Sequence, residues 1–234
     1  MLLILTWAAG CVDAISYLGL GHVFTAMMTG NTVLLGLALA QGEILAALRS
    51  IVALIGFAAG VAAGAMIVER DEDRRWPRAV TKALALEAVF LAVFSSIGSL
   101  EGNSPGPAAV YFLIALLSLA MGIQAAAVRR LGVPGIATTY ITGTMTSLMV
   151  DLVGWMRSAG ASARPSDGEG NQVDESSGIQ WERRVGLLAG VFFVYGFGAL
   201  AGGVLHAQSP LPAALSPLIA VGVVVMNAYV RYRR

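Results

Sequence analysis

Asp13 stands inside the apolar run AAGCVDAISYLGLG. A carboxyl there can relay a proton, bind a cation, or hold backbone amides by hydrogen bonds. A second polar group follows in GHVFTAMMTGNTVLLGLALA at residues 21–40, where Thr29, Gly30, Asn31 and Thr32 interrupt an otherwise apolar stretch. A glycine frees the backbone from helical geometry, and Asn or Thr caps a helix that starts just after it. Gly30 is therefore the expected break, with Asn31 or Thr29 as the cap. Such a helix start would present N–H groups and partial positive charge to a ligand. The bland reading is close helix packing through small residues and hydroxyls bonded to their own backbone.

The pattern recurs. ATTYITGTMTSLM from Ala137 places Thr142, Gly143 and Thr144 as the first stretch places Thr29, Gly30 and Asn31. AAGCVDA at 8–14 resembles AMGIQAA at 120–126, with Gly10 on Gly122. Gly60-x-x-x-Gly64 echoes Gly198-x-x-x-Gly202, and small residues at this spacing let membrane helices approach closely. Preserved order over the chain marks an internal repeat, with halves at about 1–100 and 107–230. Asp13 has no acidic counterpart, because its place falls near Gln124 and Ala125. Gln124 is a candidate polar partner, and any site shared by the halves is chemically asymmetric.

The elements that position these residues are membrane helices. Apolar types make up 57% of the 234 residues and charged types 12%, against about 25% charged in soluble domains. Several apolar runs reach the roughly 20 residues that cross a bilayer. Eight apolar segments run at about 2–20, 23–41, 47–68, 82–100, 107–128, 134–154, 185–206 and 210–230. Residues 156–184 are polar and rich in Ser, Gly and Asp, which predicts a mobile loop. The chain opens apolar with no basic region ahead, so the first segment reads as a retained span.

Charge bias selects among topologies. If segments two and six do not cross, six spans remain and nearly all Lys and Arg fall on the side of both termini, the cytoplasm. Arg49 alone fits poorly. Eight crossings would send the C-terminal arginines outside, and that alternative stays open. The expected fold is an all-α integral membrane protein of about six transmembrane helices plus two short broken or re-entrant segments, in one membrane domain. Three crossings per half make an inverted repeat, an arrangement of many secondary transporters.

Other ionisable residues have quieter readings. Glu87 lies near a cytoplasmic helix end, where snorkelling or an arginine partner suits it. Asp151 is placed to face water. His22 and His206 have no acid or thiol cluster beside them. The lone Cys11 excludes a cysteine-built metal site or intrachain disulfide. A net charge of +1 without a basic, aromatic-laced patch predicts no nucleic-acid partner. No nucleophile–base motif, Walker A or dinucleotide fingerprint is present, so neither catalysis nor a cofactor is expected.

The assembled motifs resemble the bacterial YoaK-like family (DUF1275) of uncharacterised multi-pass membrane proteins. AGCVDAISYLGLGHVFTAMMTGNTVLLG at 9–36 and MGIQAAAVRRLGVPGIATTYITGTMTSL at 121–148 carry the resemblance, which extends in outline over nearly the whole chain. It implies an inner-membrane location and supplies no catalytic residues. The family pattern often has asparagine where this chain has Ala125, and residues 156–184 are long for it. The expected partners are the lipid bilayer and a small polar solute or ion. Transport by motion of one half against the other is the leading reading, an accessory or scaffold role the alternative, and an intramembrane enzyme a distant third. Oligomerisation is unread.

Overall fold

The computed structural model describes residues 1–68, 76–101, 105–131, 141–162 and 175–232. They form eight helices: α1 Leu2–Gly19, α2 Met28–Gln41, α3 Ile44–Val68, α4 Arg78–Glu101, α5 Pro107–Arg130, α6 Ile141–Ser162, α7 Glu175–Gln208 and α8 Pro210–Tyr232. Six are long and apolar enough to cross a membrane: α1, α3, α4, α5, α8 and the Arg184–Gln208 part of α7. Their outward faces carry large apolar side chains such as Ile55, Met66, Phe197 and Leu200, as contact with hydrocarbon requires. α2 and α6 are not among the six. The 14 residues of α2 extend roughly 21 Å at the helical rise, short of a ~30 Å hydrocarbon core.

Local chemistry sets the ends. Gly21 and His22, both at positive φ, turn the chain after α1. Gly42 closes α2 in the left-handed region, its N–H reaching the carbonyls of Ala38 and Leu39. Pro107 opens α5 in the first turn, where a missing N–H costs nothing. Pro217 lies inside α8 and cannot donate to the Ala213 carbonyl. The Ser216 hydroxyl donates to that oxygen instead at 2.8 Å. Of the 156–184 stretch expected to be a mobile loop, 156–162 and 175–184 are helical. A polar composition rules out a packed core, but a helix closes its own backbone bonds without one.

α1 and α5 lie at the centre. α7 packs on α1 and α3 on α5, while α4 and α8 pair with each other and bridge to α5 and α1 respectively. α2 rests on α3, and α6 on α7. Exchanging α1–α4 with α5–α8 maps every one of these contacts onto another or onto itself. The match extends to residues. A Cβ on Gly10 would strike the Tyr195 carbonyl and the Ala199 amide, and one on Gly122 would strike the Phe57 carbonyl and the Val61 amide. In return, Gly198 meets the Trp7 carbonyl and Gly60 the Leu119 carbonyl. Both crossings bring backbone against backbone, which only glycine permits.

Candidate functional site

Asp13 is 3% exposed and faces the α1–α2 connection. Its Oδ1 accepts from the backbone amides of Thr25 at 2.9 Å, Ala26 at 2.7 Å and Met27 at 3.4 Å. Its Oδ2 accepts from the Tyr195 hydroxyl at 2.5 Å. Ser16, one turn on, donates to the Asp13 carbonyl at 3.1 Å and accepts from Thr25 Oγ1 at 3.4 Å. Of the three uses a carboxyl has at this position, the bonding one is realised: Asp13 ties the connection to α1 and α1 to α7.

Asn31 is fully buried. Its Oδ1 accepts from the Phe24 amide at 2.9 Å and its Nδ2 donates to the Phe24 carbonyl at 2.5 Å, so one side chain satisfies both backbone groups of a residue outside regular structure. The expected break and cap are corrected here. α2 begins at Met28, after an N-cap Met27 with no side-chain cap bond, so Gly30 and Asn31 belong to its first turn. The irregular chain lies before them, at 20–27, and a carboxyl from another helix collects its amides. Gly30 instead makes room: a Cβ there would lie 2.9 Å from the Phe24 ring. Thr29 and Thr32 are exposed, and the Thr32 hydroxyl donates to the Met28 carbonyl at 3.0 Å.

The second repeat is similar but less complete. Thr142 is exposed, Gly143 half-buried and Thr144 buried, all in the first turn of α6. Thr144 thus repeats the burial of Asn31. The expected counterpart of Thr25 at residue 138 lies outside the described residues. Gln124 is fully buried and donates to the Leu5 carbonyl at 3.2 Å, joining α5 to α1 rather than meeting Asp13. The structure therefore brings Asp13, Asn31 and the chain before Thr29 into one network, with Gln124 and the second Thr-Gly group outside it.

Two cavities flank the seam between α4 and α8. These helices run antiparallel, as the Ser95 hydroxyl bond to the Ala214 carbonyl and the stacking of Trp76 on Tyr232 at 6.0 Å require. A cavity of about 340 Å³ at the C-terminal end of α4 is lined by Ser95, Gly98, Ser99, His206, Gln208 and Leu211 among others. One of about 430 Å³ at the opposite end is lined by Trp76, Arg78, Thr81, Lys82, Ala85 and Tyr229 among others. Both volumes suit a small ligand.

With this geometry in view, comparison with known proteins places the chain. A family described as "Protein of unknown function (DUF1275)" matches residues 1–228. The chain belongs to that family. Within it, the chain is 48% identical over 154 residues to "UPF0700 transmembrane protein YoaK" of Bacillus subtilis (strain 168), covering 66% of this chain and 67% of that protein. No solved structure matches. Six apolar helices and this kinship make it a multi-pass membrane protein of the bacterial DUF1275 family.

For this DUF1275 chain the sequence missed three things. Tyr195 is one aromatic residue among several in a glycine-rich span, and nothing in the sequence pairs it with Asp13. Asp151 does not face water. It is 4% exposed, and its Oδ2 lies 2.7 Å from Arg184 Nε, which ties α6 to α7. Glu87 neither snorkels nor meets an arginine. It is fully buried, and neither carboxyl oxygen has a hydrogen-bond partner among the described residues. Arg49, the misfit of the charge argument, reaches the Gly21 carbonyl at 3.4 Å, so the turn after α1 accounts for it.

Proposed function

We propose that the chain is a secondary transporter for a small polar solute or ion in the bacterial inner membrane, with both termini cytoplasmic. The observation that carries this reading is the pair of cavities at opposite ends of the α4–α8 seam, set in a packing that repeats itself when the halves are exchanged. Three spans per half turn the second half over relative to the first, and such halves rock to open a central site to either side. α4 and α8 contact each other as symmetry mates, so the seam is where that motion would act. The reading is non-enzymatic and calls on no cofactor.

A non-transporting accessory or scaffold role is the second reading, and one observation favours it. Asp13 and Asn31, the polar groups expected to meet a solute, spend their hydrogen bonds inside the protein. Proteoliposomes separate the two. Saturable counterflow of at least one solute from a panel of amino acids, organic acids, sugars and monovalent ions is expected. Flux equal to protein-free vesicles across the panel, from monodisperse folded protein, would reject transport.

A further inference from the structure

Glu87 is a buried acid that neither the anchoring network nor the repeat explains. Along α4, Val80, Leu84, Glu87 and Leu91 form a stripe at spacings of four, three and four, and all are fully buried. The stripe continues to Ser95, whose hydroxyl reaches α8. In height along α4, Glu87 falls between Ala85, which lines one cavity from the opposite face of the helix, and Phe94, which lines the other on nearly the same face as Glu87. Those two residues are separated by roughly 14 Å of helix. Ordinary structural use of a buried carboxyl shows at Asp13, which has four donors. Glu87 has none among the described residues, and an apolar side chain would fill the same place more cheaply.

We propose that Glu87 is a proton-exchange site, buried in α4 at a height between the two cavities, that takes a proton from one side and releases it to the other. Occlusion without a partner favours the neutral acid, and water entering from either cavity would let it ionise. A proton fits better than a metal cation, because a hard cation needs several oxygen ligands and no second polar group among the described residues bonds the Glu87 oxygens. The surrounding titratable groups lie toward the helix ends. They are Arg78, Lys82 and Glu101 on α4, Arg49 on α3, Tyr111, Arg129 and Arg130 on α5, and Tyr229, Arg231 and Tyr232 on α8. Among the described side chains, none bonds to Glu87. The exchange rests on the transport reading only for its purpose, since the site can be tested without any solute.

The test uses the full chain in liposomes and a lipophilic carbodiimide. The protonated carboxyl adds to the reagent: its proton moves to one nitrogen and its oxygen bonds the central carbon. Acyl transfer to nitrogen then leaves a stable acylurea with no leaving group. Mass spectrometry is expected to find the adduct on Glu87, diminishing as pH rises, and absent from that peptide in Glu87→Gln. Glu87→Leu is expected to melt at or above the wild-type temperature, as an apolar side chain in that buried place predicts. Folded wild-type protein unlabelled at Glu87 at every pH would overturn the proposal, as would labelling that does not change with pH. If a solute is found, Glu87→Gln should keep counterflow but lose accumulation driven by a pH gradient. Accumulation preserved in that variant, or driven by sodium instead, would also overturn it. Glu87 labelling with no flux of any solute would uphold the site and reject the transporter.

Discussion

At Asp13 one carboxyl serves four donors, and its removal would leave three buried amides and a hydroxyl without an acceptor. Asp13→Ala is expected to cost roughly 2–4 kcal/mol of stability, since each unsatisfied buried group costs about 1–3 kcal/mol and relaxation recovers part. Asp13→Asn keeps an oxygen for the amides and should cost much less. Thermal unfolding in detergent measures both. Asp13→Ala and Tyr195→Phe each break the same 2.5 Å bond, so their costs should not add in a double-mutant cycle. Strict additivity would show that the bond contributes nothing. Asp13 is therefore employed in bonding within the fold, even though an acid in a span first reads as chemistry. Glu87, the acid with the quieter position in the sequence, bonds to none of the described residues.

At the scale of elements, glycine decides how closely helices cross. A Cβ on Gly122 would lie 2.7 Å from the Val61 amide nitrogen, and backbone cannot yield as a side chain can. Gly122→Ala is expected to destabilise by about 1–3 kcal/mol. Gly222→Ala is the control, because nothing lies within 4 Å of the added carbon. Equal melting temperatures for the two variants would contradict close packing at the α3–α5 crossing. The short α2 makes a second prediction. If it does not cross, residues on both its flanks face the same side. His22→Cys and Glu43→Cys, both at exposed positions, should react with an impermeant maleimide from the same face of the membrane. Native Cys11 is fully buried and should stay silent. Labelling of the two positions from opposite faces would restore the eight-span topology.

Over the whole molecule, the two cavities make the transport reading vulnerable to a simple test. Gly98 lines the first cavity with no neighbour within 4 Å, and Thr81 lines the second. Gly98→Trp should abolish counterflow while the melting temperature holds, and Thr81→Trp should abolish it at some cost in stability, because it also removes the acceptor of the Trp76 indole N–H. Flux that survives both would move the pathway away from the α4–α8 seam. From the amino-acid sequence alone came the all-α membrane class, six helices long and apolar enough to span, and the paired order of the motifs. These depend on hydrophobic length, charge bias and motif order, which are properties of the chain read in one dimension. It also marked Asp13 and Asn31 as special, because polar residues in hydrocarbon must be satisfied somewhere. The tertiary structure decided with whom. Tyr195 lies 182 positions from Asp13, and that Glu87 has no partner among the described residues shows only once the helices are packed. Whether a buried acid is bonded or left over depends on which helices cross beside it, and no local pattern carries that information.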